Sequence, residues 1–270
     1  MSEDSFSEEL QTRTRRQHDL SNTLVNLSAP LALSSPDVYR LLLVSWYWIY
    51  KTVETKMEHF RLTYPKVGAI YFPQLLRTGA FEDDLRFYYG SDFEKRIMPP
   101  SKATADYIKN FVQSIENDPV CIIAYCYTMY LGMFGGGPIV KRWVRSAFSL
   151  PPGKGTKIFE FSDTIPDIPK FKKEYKDAMD RIALSRDEKE RIVEMKKQVF
   201  AHNDTIFAEI RKTATYNRRV ISVVVKYALL FVVLLGTFRF LFDASFRTHA
   251  REIFFAVTSW VSSRTTDLDT

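Results

Sequence analysis

Four of the ten glycines of this 270-residue chain, Gly132, Gly135, Gly136 and Gly137, fall within six consecutive positions of the segment LGMFGGGPIVKRW. Each glycine inside a helix costs about 1 kcal/mol relative to alanine. A run of this density therefore gives up helical preference for which something must compensate. A simple change of chain direction needs one glycine beside Pro138. A run lets the backbone approach a flat or bulky ligand closely and flex around it. The two readings of the run are a ligand-facing glycine helix and a plain loop. A phosphate loop is excluded, because GxxxxGK followed by Ser or Thr is absent and neither GGGPIVK nor PGKGTK supplies its spacing.

Histidine is scarce, at His18, His59, His202 and His249, and no HExxH or other paired metal spacing exists. His18 sits in TRTRRQHDL, a polar helical segment in which a solvated surface histidine is the plain alternative to a ligand. A metal held there would have to bring its own equatorial ligands. Haem does so, and needs as little as one axial imidazole, a hydrophobic slot and cations for its propionates. The two cysteines, Cys121 and Cys126, lie in one apolar helical run and are too few for a disulfide framework or a four-ligand zinc site, which suits a reducing compartment.

The elements that must position these residues read as helices. Ser35, Pro36 and Asp37 form a helix start. The apolar residues Val38, Leu41, Leu42, Trp46, Ile49, Tyr50, Val53 and Met57 then recur at helical spacing as far as His59. Residues 101–115 repeat the pattern, and 120–130 is almost wholly apolar, as in a helix buried on several sides. Ser185 with Glu188 makes a capping box ahead of a helix through Ile192, Met195, Val199, Phe200, Ile206, Phe207 and Ile210. KIFEF, after the Pro- and Gly-rich stretch from residue 149, is the one strand-like run. No βαβ rhythm and no internal repeat is present, and the fold class is all-α.

The formal net charge of +6 is concentrated. Between Arg211 and Arg251 eight basic residues face one acid, Asp243, so this window holds +7 and the rest of the chain is close to neutral. Nucleic-acid binding by the main body loses its support. Within the window, residues 220–242 read VISVVVKYALLFVVLLGTFRFLF, long enough at ~1.5 Å per residue to cross a bilayer core of ~30 Å. Lys226 and Arg239 lie near its ends, where long basic side chains snorkel; an interfacial helix is the alternative. Met1 to Gln17 is polar, so the expected anchor is C-terminal and inserted after synthesis, with the bulk of the chain cytosolic. The cluster Arg211, Lys212, Arg218 and Arg219 agrees with a cytoplasmic N-terminal side.

Taken in order, TRRQHD, SWYWIYKTVE, YFPQLLRTGAFEDDLRFYYG, AYCYTMYLGMFGGG, KFKKEYKDAM and FAHNDTIFAEI resemble the helical motifs of the haem oxygenases over residues 10–211. The resemblance implies a single-domain helical fold, here expected over residues 1–215, followed by an anchor at 216–242 and a short lumenal tail at 243–270. It implies His18 as the iron ligand, Gly132 and Gly136 over the distal haem face, and Tyr50 in the distal hydrogen-bond network. It further implies Lys172, Lys176 and Arg15 as cations for the propionates, Tyr127 and Thr128 as edge contacts, Phe200 and Phe207 as wall positions, and Asn203 as a polar contact. The implied activity is opening of haem, both substrate and prosthetic group, by O2 and electrons to biliverdin, CO and ferrous iron. No Rossmann fingerprint is present, so the electrons are expected from NADPH through a partner, by resemblance NADPH–cytochrome P450 reductase in the same membrane, the endoplasmic reticulum by default.

Two departures from the family pattern AYTRYLGDLSGG matter: its aspartate is Met133 here and its arginine Met129. A thioether is a weak acceptor with no proton to give. Loss of that network favours peroxidase-like chemistry in the family's logic. The rival expectations are a haem sensor, buffer or peroxidase on the same fold, and a tail-anchored helical adaptor that binds no haem.

Overall fold

The computed structural model describes residues 5–266, which form helices joined by turns and contain no strand among them. In order these are α1 (Phe6–Arg13), α2 (Arg15–Ala32), α3 (Pro36–Phe60), α4 (Pro65–Gly68), α5 (Thr78–Tyr89), α6 (Phe93–Arg96), α7 (Lys102–Asn117), α8 (Ile122–Phe148), α9 (Ile168–Asp180), α10 (Arg186–Arg211), α11 (Ala214–Phe242) and α12 (Ala244–Thr266). They divide into two compact units, Met1–Asn217 and Arg218–Thr270.

Local chemistry sets the helix ends. Ser35 is extended and Pro36 opens α3, whose Val38, Leu42, Ile49, Val53 and Met57 are buried. Ser185 accepts from the Glu188 N–H and the Glu188 carboxylate accepts from the Ser185 N–H, the reciprocal cap expected at the start of α10. The apolar run after Val120 becomes α8, which continues through the glycines and Pro138 to Ser149, a left-handed residue at φ 50°. The glycine run is thus helical, and its neighbours compensate for the lost preference: Ile122 to Tyr127 are all buried. In the first unit α10 packs against α8, α2, α7 and α3, so it is the strut that α2 and α8 share.

A buried carboxylate on α3 ties the connecting segment in place. Glu54, 8% exposed, accepts from the backbone N–H groups of Arg77 (2.6 Å) and Thr78 (2.9 Å), from the Thr78 hydroxyl and from the Tyr130 hydroxyl of α8 (3.2 Å). The guanidinium of Arg77 turns the other way, donating to the carbonyls of Gln74, Leu75, Leu76 and Glu160 and lying 4.1 Å from the Phe161 ring centroid. Gly155 needs its identity: φ is +73°, and a Cβ there would stand 2.7 Å from the Tyr88 hydroxyl.

The strand-like KIFEF is corrected to a 3-10 turn, Lys157–Phe159. The Asp84 carboxylate accepts the N–H groups of Lys157 (2.8 Å) and Ile158 (3.0 Å), so a side chain satisfies the backbone donors that a neighbouring strand would have taken. Cys121 and Cys126 are buried free thiols, Cys126 3.2 Å from the Met57 sulfur, and burial pushes both thiols up, Cys121 to about 11.

The second unit carries most of α11 together with α12. No part of the apolar window of α11 is buried, whereas the other long apolar stretch, 119–148, with a mean hydropathy of 1.3 against 2.4, is two-thirds buried as a core element. The residues after Asp243, expected as a short tail, are helical through Thr266.

Burial pushes the Asp84 carboxyl up to about 6, with the two N–H groups pulling the other way. A carboxyl raised on folding gives stability that is full below its unfolded value and is lost as pH rises through its folded one. The stability of the wild type therefore carries a component that falls between about pH 4 and 6, and Asp84→Asn flattens it. Urea unfolding at pH 4, 5 and 6 measures the slope.

Candidate functional site

One side of the site is α2. Thr14 precedes it, its hydroxyl donating to the Leu10 carbonyl, and the Thr14 carbonyl accepts the His18 N–H. The His18 side chain is 54% exposed, with Nδ1 3.3 Å from Asp19 Oδ1. With Nδ1–H donated to Asp19, the lone pair rests on Nε2, and the Asn22 amide lies 3.2 Å from that atom. The ring meets Phe200 of α10 edge-on, 5.9 Å between centroids. Arg15 reaches into solvent, 81% exposed, 3.8 Å from Asp19 Oδ2.

The opposite side is α8. Gly132, Gly135 and Gly136 are exposed, and a Cβ at any of them would meet no heavy atom within 4 Å. Gly137 differs: its Cβ would stand 3.1 Å from the Phe159 ring. Three glycines leave a strip of bare backbone and the fourth admits a neighbouring ring. Just before the strip, Tyr127 is buried with its hydroxyl 3.4 Å from the Ser7 carbonyl, and Thr128 donates back to the Ala124 carbonyl. Tyr50 of α3 donates to the Met129 carbonyl at 3.3 Å, and burial holds its phenol firmly protonated. Met129 is buried and Met133 half-buried.

α9 and α10 complete the surroundings. Lys172 and Lys176 occupy successive turns of α9, both half-buried. Lys176 Nζ lies 3.5 Å from Gln11 Oε1, and Lys172 has no ion-pair partner among the described residues. On α10, Phe200 is buried, Asn203 and Phe207 are half-buried, and Phe207 is tilted against Trp46 at 6.4 Å. The Asn203 Oδ1 atom is buried without a hydrogen-bond partner, as is Gln17 Oε1 beside His18, so the site holds acceptors that the protein leaves unsatisfied.

The structure brings His18 into contact with Phe200, and Tyr127 into contact with α10, while Arg15 stands apart with Asp19. Sequence reasoning missed Asn22 and Lys196. The signal for Asn22 was its place one turn beyond His18. The signal for Lys196 was its register with Ile192, Val199 and Asn203 on the inward face of α10, where a lysine is out of place. Lys196 is 5% exposed, and its amine sits 4.4 Å from the Tyr127 ring centroid and 6.0 Å from that of Phe200. Among the described residues no group of three or more His, Cys, Asp or Glu gathers as for a metal ion.

The heme oxygenase family model matches residues 4–209, which include His18, the glycine strip, Lys172 and Lys176 of α9, and all of α10 except its last two residues. The chain belongs to the haem oxygenase family. It is 34% identical over 203 residues to a heme oxygenase of Rhodella violacea, covering 75% of this chain and 85% of that protein. Against heme oxygenase 1 of Pongo abelii it is 31% identical over 183 residues, covering 67% of this chain and 62% of that protein. The crystal structure of heme oxygenase-1 from Synechocystis sp. PCC6803 in complex with heme superposes with a TM-score of 0.74 at 30% identity, over 83% of this chain and 99% of that one. The heme oxygenase of Leptospira interrogans gives 0.69 at 32% identity, over 76% and 99%. The family shares the all-α architecture expected from the sequence.

The division of labour among the glycines has a thermodynamic signature. Gly136→Ala meets open space on a helix and stabilises the protein by roughly 0.5–1 kcal/mol. Gly137→Ala requires the Phe159 ring to give by a few tenths of an ångström, which offsets part or all of the same helical gain. Thermal unfolding of the two variants shows the larger rise in Tm for Gly136→Ala.

Proposed function

We propose that this chain is a haem oxygenase that opens haem to biliverdin, CO and ferrous iron with O2 and electrons from a reductase. The carrying observation is the pairing of an exposed imidazole on α2 with a Cβ-free strip on α8, both braced by α10. The residues fit the group: bare backbone suits a flat macrocycle, His18 offers one nitrogen lone pair, and the α9 lysines suit two carboxylates. When bound, haem supplies the iron at which O2 is activated and is itself the substrate.

The chain's own residues hold and orient. If Nδ1–H donates to Asp19, 3.3 Å away, Nε2 would be the nitrogen free to hold the iron. Phe200 fixes the plane of the imidazole by its edge contact, and with Phe207 walls the cleft against water. Lys172 and Lys176 would hold the propionates, and Asn203 would offer a polar contact. On the distal side no carboxylate stands over the strip, since that position is Met133. Tyr50 reaches the distal helix through the Met129 carbonyl, so ordering of a distal water falls to backbone groups of the strip.

Titration with haemin is expected to give a Soret band that shifts in His18→Ala. NADPH-dependent turnover with a cytochrome P450 reductase is expected to give the biliverdin absorption. A bound haem with no biliverdin in the wild type, and biliverdin in Met133→Asp, would favour the second reading, a haem-binding sensor, buffer or peroxidase with a disabled distal face. Lack of any Soret change would leave the helical adaptor.

We infer further that α11 anchors the chain in the endoplasmic reticulum membrane, with the first unit cytosolic and the reductase in the same bilayer. Its exposed apolar surface, free of charge from Tyr227 to Phe238, and the basic residues Arg218 and Arg219 in its first turns support this orientation. The full chain is expected to sediment with microsomes and resist alkaline carbonate, whereas a chain ending at Lys212 stays in the supernatant.

A further inference from the structure

Four charged side chains are buried among the described residues: Glu54, Arg77, Asp84 and Lys196. The first three are satisfied by several hydrogen bonds each, counting the N–H groups that the carboxylates accept. Lys196 has no oxygen acceptor. Its amine instead faces the Tyr127 ring at 4.4 Å and the Phe200 ring at 6.0 Å, and cation–π attraction offsets only part of the cost of burying a charge. The like charge of Lys176 on α9 acts on it from across the site, and burial together with that charge pushes the amine down to about 8. The buried amine is thus left against two rings with no acceptor among the described residues. Its surroundings are the cleft itself, because Tyr127 leads into the glycine strip and Phe200 touches His18.

We propose that Lys196 is an anchoring cation for a carboxylate of the bound haem, reaching it from α10 while Lys176 reaches it from α9. The inference rests on haem occupying the cleft. A carboxylate placed between the two amines relieves their repulsion and gives the buried charge the acceptor that the protein withholds, so the contact is worth more than one made by a solvated lysine. The buried amine also demands a carboxylate at a fixed depth, and so selects an orientation of the ligand that the half-exposed α9 lysines alone leave loose.

The test compares haemin with its dimethyl ester, which keeps the macrocycle and loses both negative charges, by Soret titration of the full chain in detergent. Lys196→Met is expected to weaken haemin binding by about tenfold or more while leaving the diester unchanged. An equal loss for both ligands, or no loss for either, overturns the proposal, because the lysine then acts through packing alone. Should Lys196→Met not fold, the triple variant Arg15→Ala, Lys172→Ala, Lys176→Ala removes only side chains at the surface or half-buried and leaves Lys196 in place. It is expected to go on preferring haemin to the diester; loss of all preference overturns the proposal. If the wild type shows no Soret change with haemin, the haem reading itself fails. A normal wild-type titration with an unaffected Lys196→Met variant fails only this inference.

Discussion

The geometry of the site depends on one buried carboxylate, Glu54 of α3. Glu54 binds the start of α5 through two backbone N–H groups and a hydroxyl, and binds α8 through Tyr130, two residues before Gly132. One turn earlier on α3, Tyr50 reaches the Met129 carbonyl of the same stretch of α8. These contacts fix the distal helix at its last fully packed turn. Beyond it, the helix can present bare backbone without losing its place. Desolvation raises the Glu54 carboxyl and the donors around it pull it down, the balance that makes a buried acid tolerable as a structural hub.

α8 is consequently two helices in one. Its first part is held from all sides and carries the core tyrosines. Its second part sacrifices side chains to leave room on one face and is held on the other by Phe134 against Phe161, by Gly137 against Phe159 and by buried Val144. α10 does the complementary work by packing on both α8 and α2, so the imidazole and the strip are referenced to a common strut. The same strut carries Phe200, Asn203 and Lys196, which is why so many of the side chains around the ligand come from one element.

Much of this was legible in the sequence because it was written in spacing. The apolar period of α3, the capping box of α10 and the density of glycines in α8 each have a local cause, and local causes show in a linear string. KIFEF misled because so short an aromatic and β-branched run also fits a turn, and Asp84, 73 positions away from Lys157, takes its backbone donors. The departure at Met133 was visible only against a family pattern. Lys196 was invisible for a different reason: on an amphipathic helix rich in lysine, one more cation counts toward the solvent face until the packing shows it turned inward. Asn22 and the orphaned Gln17 oxygen are of the same kind, ordinary residues given meaning by what surrounds them.

The two cysteines bear on which atom takes the iron. Thiolate is a strong axial ligand that changes what a haem does, and a chain that needs imidazole ligation must keep sulfur out of the competition. Both thiols here are held in the protonated form by burial, and Cys126 is turned toward the sulfur of Met57 rather than toward the cleft. Burial of these side chains is usually read as packing; under the proposed function it would also guard the coordination chemistry, leaving nitrogen to hold the metal and confining the softer donor near the strip to a thioether.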